Sequence, residues 1–400
     1  MRWRRQPPVL PTVPTGALVD GMGAAIGLRA SSHERVVTAL RRRYGAIDAL
    51  LTDSGTSALI LALRKTIRPG GIVAFPAYAC IDLTTAALGA DVRVRLYDID
   101  PATLSPDLES VREAIKRGVD AIVVAHLYGY PADVIGVRNL AAEHGIPVIE
   151  DAAQGAGGTL SGALLGSMGD IAILSFARGK GTTGGSGGAV LVRTPSLAEW
   201  TRSERSGLKP GSRGGADMLS LAAQRLLGHP VLYRLPASIP ALKLGEMVYH
   251  PPRPPREMAA ASATVLRWTL GLEEREVSHR RGRAEALLSR MRDESSVVPA
   301  RAIAGGESGF LRLALLDADG SRTPSPDIGA LRGYPMTLEQ HTQLTPLLLS
   351  GERAGMGSQL LRDRLFTVPT HSRISQTDLV RLSEWLDGPQ ARPRTNAKTT

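Results

Sequence analysis

The sequence has 400 residues, of which 43% are hydrophobic and 4% aromatic, and its formal net charge is +10. This length is sufficient for one large α/β domain and a smaller second domain. No stretch approaches the roughly 20 consecutive apolar residues that cross a bilayer, so a membrane protein is not expected. A single cysteine, Cys80, excludes an internal disulfide and a cysteine-based metal cluster.

The positive charge is spread along the chain, with local runs only at residues 41–43 and 280–283. A nucleic-acid-binding protein would be expected to gather its charge in one patch or recognition element. We therefore predict that both runs are solvated helix faces, and no nucleic-acid partner is expected. An anionic substrate would account equally well for the net positive charge of the chain. The basic N-terminal stretch is interrupted by prolines and lacks the apolar core of a signal peptide, which predicts a cytoplasmic protein.

After an N-terminal arm, residues 1–30, the sequence SSHE at 31–34 has the pattern of a capping box and predicts a helix that ends at Gly45. Apolar runs predict strands near 47–52, 72–76, 92–97, 121–126, 147–150, 171–176 and 187–193. Helical patterns lie between them, near 56–67, 80–88, 107–117 and 133–144. This alternation predicts an α/β fold over residues 31–249, with a mainly parallel sheet sandwiched by helices.

The proline-rich stretch HPPRPPRE at 250–257 predicts a linker, because proline stops helices and stiffens loops. Beyond it, a helical pattern at 258–291, a strand pattern at 310–316 and a helical pattern at 377–386 predict a small C-terminal α/β domain. This domain would span residues 250–388. The last residues, 389–400, are polar and predict a disordered tail.

The lysine distribution singles out one position for covalent chemistry. Ligands of open α/β sheets bind beyond the carboxyl ends of the strands. Lys180 directly follows the predicted strand at 171–176 and begins the glycine-rich loop KGTTGGSGG, whereas the other five lysines lie at helix ends, in surface-like segments or in the tail. Arginine cannot form a Schiff base, so a lysine at this position has a chemical rationale.

Three further segments fall at strand ends. SGTS at 54–57 begins a helix whose free amides suit a phosphate, although serine and threonine are also ordinary N-caps. EDAAQ at 150–154 ends an apolar strand, and its carboxylates either cap the strand or pair with a buried cation such as a pyridinium nitrogen. FPAYAC at 75–80 is either an ordinary turn or one wall of a cofactor slot.

Together the phrases SGTSAL, DIDPATL, HLYGYPAD, PVIEDAAQ and LGSMGDIAILSF resemble the DegT/DnrJ/StrS family of sugar aminotransferases. The resemblance is dense over residues 52–192 and implies fold type I with pyridoxal 5'-phosphate (PLP) as cofactor. It implies that Lys180 is catalytic, holding PLP as a Schiff base and moving the substrate proton, and that Asp151 is catalytic through the ring nitrogen. The cofactor-binding residues implied by the resemblance are Gly55, Thr56 and Ser175 at the phosphate, Gln154 at the ring 3-oxygen, and Cys80, Asp151 and Lys180.

The chain departs from the family pattern at three points. Cys80 stands where the family usually places an aromatic residue over the cofactor ring, and Ser186 stands where it has a glutamate. The asparagine that reaches the phosphate from the neighbouring subunit has no match, and Arg253 is a candidate substitute. Two histidines remain open: His126 lies either near the cofactor or in the core, and His371 either faces the substrate or caps a loop.

The family resemblance implies an aminotransferase that moves an amino group from glutamate to a nucleotide-linked keto-sugar in polysaccharide or natural-product sugar biosynthesis. It also implies a homodimer. Arg253, Arg256 and Arg280 are candidates for contact with an anionic diphosphate. No metal site is expected, because the histidines show no paired ligand spacing. The alternative is a non-catalytic relative that binds a ligand or partner, which the missing aromatic favours and the Lys180–Asp151 pair opposes.

Overall fold

The protein is described by a computed structural model that covers residues 4–239, 247–292 and 295–388. The predicted disordered tail, 389–400, lies outside the described residues. The helices are α1 (Thr15–Ala25), α2 (His33–Tyr44), α3 (Gly55–Thr66), α4 (Asp82–Ala90), α5 (Leu108–Lys116), α6 (Val134–Ala142), α7 (Pro195–Gly207), α8 (Gly215–Leu227), α9 (Arg234–Ala237), α10 (Ala260–Leu270), α11 (Glu273–Leu288), α12 (Met356–Arg364) and α13 (Gln376–Asp387).

The strands are β1 (Asp48–Thr52), β2 (Ile72–Pro76), β3 (Arg93–Tyr97), β4 (Ile99–Asp100), β5 (Ser105–Pro106), β6 (Ala121–Ala125), β7 (Val148–Asp151), β8 (Thr159–Leu160), β9 (Ala163–Leu164), β10 (Ile171–Ser175), β11 (Gly188–Val192), β12 (Val297–Pro299), β13 (Gly306–Glu307), β14 (Arg312–Asp317), β15 (Leu331–Arg332) and β16 (Leu365–Pro369). Short 3-10 turns lie at Pro326–Ile328 and Leu338–Gln340.

The central sheet has seven strands in the order β1-β11-β10-β7-β6-β2-β3. The pairs β10–β7, β7–β6, β6–β2 and β2–β3 are parallel, whereas β11 runs antiparallel to both of its neighbours. The strand β1 therefore points the same way as β10, so its carboxyl end meets the same edge of the sheet. These pairings confirm the predicted mainly parallel sheet and place the strand predicted at 187–193 as its antiparallel member.

Helices cover both faces of the central sheet because its strands are apolar on both sides. Along β6, successive residues alternate: Val123 packs in the core beneath α3 and α4, whereas Ile122 and Val124 pack in the core beneath α5 and α6. The helix α3 is buried along nearly its whole length, from Ala58 to Leu63, which accounts for its apolar sequence. The layered α/β architecture predicted from the sequence is thus confirmed.

The C-terminal part of the chain forms a second, antiparallel sheet in the order β12-β14-β16-β15. Its core is shared with α11 and α13 through Ala284, Leu287, Leu379 and Leu382. The predicted strand at 310–316 begins two residues later, because Phe310 has a positive φ of 43° that extended backbone does not allow.

Two local predictions are wrong. The helix predicted at 258–291 is two helices, α10 and α11, separated at Gly271 and Leu272. The predicted helix after SSHE is present as α2 and ends at Gly45 in a left-handed conformation, but its capping box is absent. The Ser32 side chain makes no cap hydrogen bond. The Ser31 hydroxyl instead accepts a hydrogen bond from the His33 backbone N–H at 3.2 Å, and the His33 Nε2 atom lies 2.7 Å from the Met258 carbonyl oxygen.

Candidate functional site

The carboxyl ends of β1, β2, β6, β7 and β10 meet at one edge of the central sheet and surround a cleft. All seven predicted site residues line this cleft: Gly55, Thr56, Cys80, Asp151, Gln154, Ser175 and Lys180. The cleft encloses about 500 Å³ of unfilled space, including part that is open to solvent.

One end of the cleft is formed by the start of α3. Ser54 caps this helix by accepting a hydrogen bond from the Ser57 backbone at 3.0 Å, as an N-cap serine does. Gly55 lies so close to β10 that a Cβ atom there would be 2.6 Å from the Cβ of Ser175. The first turn of a helix presents backbone N–H groups without intrahelical partners and the positive end of the dipole. These features form a cradle for a phosphate group.

Asp151, the last residue of β7, is a buried carboxylate at the other end of the cleft. Burial raises its pKa, and the hydrogen bond from the Ala153 backbone and the charge of Lys180 only partly offset that effect. Within the described ranges, Asp151 has no cationic partner at ion-pair distance. A buried carboxylate in this state is complementary to a cationic ring nitrogen, so the residues present fit a protonated pyridine.

Glu150, the neighbour of Asp151 in the chain, forms a buried hydrogen bond with His126. The Ala132 backbone N–H donates to His126 Nδ1 at 2.9 Å, so the ring proton is on Nε2, which donates to Glu150 at 3.0 Å. Burial opposes ionisation of Glu150, but hydrogen bonds from His126, Gly166 and Gly169 outweigh it and lower its pKa. His126 therefore both lines the cleft and belongs to the buried core, the two roles between which the sequence could not decide.

Lys180 lies half-buried on the loop after β10, where its backbone N–H donates to the Ala177 carbonyl at 3.0 Å. Arg280 of α11 holds the adjoining loops: it donates to the carbonyls of Ala156 and Gly309, both at 2.8 Å, and approaches that of Gly181 at 3.5 Å. Arg280 is 5% exposed. The prediction of a solvated face is therefore wrong for Arg280, and so is the prediction that Arg280 contacts a diphosphate, because its guanidinium is buried against backbone carbonyls.

Cys80 lines the cleft where the family resemblance implies an aromatic ring. Burial and the neighbouring Asp82 carboxylate raise the pKa of its thiol to about 12, so the thiol stays protonated. The Cys80 sulfur donates to Asp82 Oδ2 at 3.5 Å. Asp82 also lines the cleft, a position that the sequence analysis missed because an acidic residue in the first turn of a helix is ordinary.

Three of the chain's eight tyrosines converge beside Cys80 and Gln154. The rings of Tyr78 and Tyr128 lie 5.3 and 5.4 Å from the ring of Tyr334, between centroids. Tyr334 also contacts Gln154 through a hydrogen bond of 2.6 Å from the amide Nε2 to the phenol oxygen. The sequence analysis missed Tyr334, since it lies about 150 residues beyond Lys180 in a segment without a chemical motif.

His371 lies beside a small second cavity that touches Lys180 and is lined by Val9, Leu10 and Pro11 of the N-terminal arm. Its Nε2 atom is 3.1 Å from the Pro7 carbonyl oxygen, and the residue is 4% exposed. His371 therefore joins the N-terminal arm to the C-terminal part of the chain. Ser186 stands where the family resemblance implies a glutamate. Its hydroxyl forms hydrogen bonds with Asp217 at 3.0 Å and with Ser262 at 2.9 Å.

Comparison with known proteins finds a match to one family. Residues 24–218, just under half of the chain, match the model of the DegT/DnrJ/EryC1/StrS aminotransferase family. The family resemblance predicted from the sequence is thereby confirmed.

Two curated relatives illustrate the range of substrates in the family. L-glutamine:2-deoxy-scyllo-inosose aminotransferase of Streptoalloteichus tenebrarius is 38% identical over 169 residues, 42% of this chain and 40% of that protein. UDP-N-acetyl-3-dehydro-alpha-D-glucosamine 3-aminotransferase of Acidithiobacillus ferrooxidans is 34% identical over 193 residues, 48% of this chain and 52% of that protein. The chain spans about half the length of the curated relatives that it matches.

Solved structures share the fold over nearly the whole chain. AtS13 from Actinomadura melliaura superposes with a TM-score of 0.74 at 21% identity, covering 96% of this chain and 99% of that one. E. coli GDP-4-keto-6-deoxy-D-mannose-3-dehydratase, solved with bound hydrated PLP, gives a TM-score of 0.73 at 16% identity, covering 96% and 100%. These superpositions confirm the predicted fold class. Among the residues described, no helix has both the length and the apolar character needed to span a membrane.

Proposed function

We propose that this protein is a PLP-dependent aminotransferase that moves an amino group to the carbonyl of a cyclic polyhydroxylated ketone. The observation that carries this proposal is the convergence of Lys180, Asp151 and Gln154 with the Gly55–Ser175 cradle on one cleft. A lysine nucleophile, a buried carboxylate and a phosphate cradle are the parts that a PLP enzyme requires.

The cofactor is PLP, whose ring withdraws electrons from the substrate carbon when it is bound. Gly55, Thr56 and Ser175 would hold its phosphate at the start of α3. Asp151 would pair with the ring nitrogen and keep that nitrogen protonated, and Gln154 would face the ring 3-oxygen. Lys180 would hold the cofactor covalently through Nζ and would carry a proton to and from the substrate carbon.

The amino acceptor is a keto-sugar or a related cyclitol ketone. The two relatives described above are named for a nucleotide-linked keto-sugar and for a free cyclitol ketone, and they share the reaction class. The basic balance of the chain, with a net charge of +10, favours the nucleotide-linked acceptor because its diphosphate is anionic. Arg253 and Arg256 are exposed within the proline-rich segment 250–257 and remain candidates for that contact.

The active unit is a homodimer. The helices α1 and α8 pack against each other and present an apolar face to solvent: Val19 is 60% exposed, Leu219 66% and Leu226 65%. Exposed apolar side chains on two packed helices are candidates for an interaction site. A second copy covering this face would account for it. Sedimentation of the wild type and of Leu226→Glu tests this: the wild type should be a dimer and the variant should dissociate.

The test of function is the absorption spectrum of the protein with PLP, before and after addition of an amino donor. We expect a visible band that glutamate or glutamine removes and that a keto acceptor restores. Two acceptors are compared: a UDP-linked 3-keto-sugar and 2-deoxy-scyllo-inosose. Restoration only by small 2-oxo acids would contradict the sugar assignment. A stable band that no donor changes would favour the non-catalytic alternative.

A further inference from the structure

The side-chain amide of Gln154 is held by two protein contacts of different kinds. Its Oε1 atom accepts a hydrogen bond from the Tyr128 backbone N–H at 3.0 Å, and its Nε2 atom donates to the Tyr334 hydroxyl at 2.6 Å. A backbone N–H can only donate, so the atom facing Tyr128 must be the carbonyl oxygen of the amide. The amide is therefore oriented by the network itself.

This orientation leaves one hydrogen of the amide without a partner among the described residues. An NH₂ group has two donors, and Tyr334 takes one of them. Because Gln154 lines the cleft, the second N–H is available to a group bound there. If the Tyr334 hydroxyl were absent, the Nε2 group would have to find another acceptor and the amide could rotate about its terminal torsion.

Tyr334 itself is fixed from several directions. Its backbone N–H donates to the Tyr78 hydroxyl at 2.7 Å, and its ring packs between those of Tyr78 and Tyr128. The preceding residue must be glycine, since a Cβ atom at Gly333 would be 2.1 Å from the Tyr78 hydroxyl oxygen. Tyr128 holds its backbone N–H toward Gln154 in a positive-φ conformation of 54°. Strained backbone that the surroundings maintain is often found at functional sites.

We propose that Tyr334 is a positioning residue that aims the free N–H of Gln154 at the 3-oxygen of the cofactor. The inference rests on the proposed function, because it requires PLP in the cleft. It assigns a role in the site to a residue from the C-terminal part of the chain. It also means that the packing of Tyr78, Tyr128 and Tyr334 beside Cys80 serves to orient Gln154.

The pH dependence of the visible band of the PLP-loaded protein tests this role. With PLP bound, the negatively charged ring 3-oxygen would accept a hydrogen bond from the protonated imine nitrogen at Lys180 and so stabilise its proton. A second donor to that oxygen would weaken this hydrogen bond and lower the pKa of the imine nitrogen. In Tyr334→Phe, which keeps the ring packing, we expect the midpoint of the band's titration to rise by about 0.5 to 1 pH unit. Gln154→Ala should give the same rise, and the double variant should add nothing further.

Tyr128→Phe is the matched control. Its hydroxyl lies 3.5 Å from that of Tyr78, whereas Gln154 is held by its backbone, so this variant should titrate like the wild type. A Tyr334→Phe midpoint equal to that of the wild type would overturn the inference, as would equal rises in both tyrosine variants or additive rises in the double variant. A wild type that shows no visible band with PLP would instead contradict the proposed function.

Discussion

Lys180 is the residue on which the covalent chemistry depends. Replacement by alanine removes the amine, and replacement by arginine keeps a positive charge but cannot form a Schiff base. We expect both variants to lose the visible band with PLP and to carry no pyridoxyl group after borohydride reduction. Peptide mapping is the measurement, and the other five lysines of the chain are its internal control. A pyridoxyl group on any of those five would contradict the assignment.

Asp151 serves the proposed function but lowers the stability of the cofactor-free protein. Burial raises its pKa, so at neutral pH the protein without cofactor maintains a costly buried charge. The neutral isostere in Asp151→Asn removes that cost while keeping the shape of the side chain. We expect the melting temperature of the cofactor-free protein to rise by about 1 °C, from about 1 kcal/mol of stabilisation.

Turnover of Asp151→Asn should fall by about a hundredfold or more, because the ring nitrogen loses its counter-charge. Calorimetry of the cofactor-free protein and steady-state kinetics measure the two effects. Glu150→Gln is the control, since Glu150 accepts hydrogen bonds from His126 and three backbone amides and should be destabilised by the same change. A less stable Asp151→Asn, or one with turnover within a few-fold of the wild type, would contradict this account.

At the scale of elements, α11 is the part that holds the loops of the site together. Arg280 joins the loop after β7, the loop after β10 and the segment before β14 through three carbonyl oxygens. Arg281 continues the contact, donating to the carbonyls of Ser308 at 3.0 Å and Gly157 at 3.1 Å. Burial lowers the pKa of Arg280, and the carboxylates of Glu273 and Glu276 partly offset that effect.

Arg280→Met would keep most of the apolar stem and leave these carbonyls without donors. We expect a loss of about 2 kcal/mol in the free energy of unfolding and a rise of about tenfold in the dissociation constant of PLP. Arg283→Met is the matched control, because Arg283 is on the same helix and makes no hydrogen bond or ion pair with any described residue. Denaturant titration and PLP titration measure the two effects. Equal results for the two variants would contradict the proposed role of Arg280 in holding these loops.

The elements that the sequence predicted well are those defined by local pattern. Strands such as β6 are runs of buried apolar residues, and helices such as α5 alternate with them, so their positions follow from periodicity. The seven site residues come from strand ends, which the α/β rule brings to one edge. The break between α10 and α11 was not predicted, since a glycine within a helical pattern is often tolerated.

The contacts that the sequence did not predict are made by residues far apart along the chain. Tyr334 contacts Gln154 across 180 positions, and Arg280 contacts Ala156 across 124. A lone tyrosine or a run of arginines gives no sign of such a partner, because tertiary packing alone decides which face is buried. The solvated-face prediction was wrong for Arg280 for this reason.

At the scale of the whole molecule, the N-terminal arm packs on the C-terminal part of the chain and reaches Lys180. Arg4 pairs with Asp378 of α13 at 2.9 Å, and the buried Arg312 of β14 donates to the Pro8 carbonyl. His371 donates to the Pro7 carbonyl from the segment after β16. These contacts bring Val9, Leu10 and Pro11 beside Lys180, so the integrity of the arm affects the wall of the active cleft.

His371 makes this connection sensitive to acid. Burial lowers its pKa to about 4, and the hydrogen bond to Pro7 only partly offsets that effect, whereas the ordinary value is about 6.5. Its Nδ1 atom has no partner among the described residues. Between these two values the unfolded chain binds a proton at this residue and the folded protein does not. The free energy of unfolding should therefore fall as the pH decreases from about 6.5 to about 4, and this contribution should level off below that range.

The full contribution of His371 to this fall is about 3 kcal/mol, since one pKa unit corresponds to about 1.4 kcal/mol. His371→Gln keeps an N–H donor for the Pro7 carbonyl but takes up no proton, so its stability should depend less on pH over this window. Urea unfolding of both proteins at about pH 7 and about pH 5 measures the difference. His144→Gln, at an exposed histidine, is the control and should follow the wild type. Parallel losses of stability in the wild type and in His371→Gln would show that other groups, and not this buried imidazole, control the response to acid.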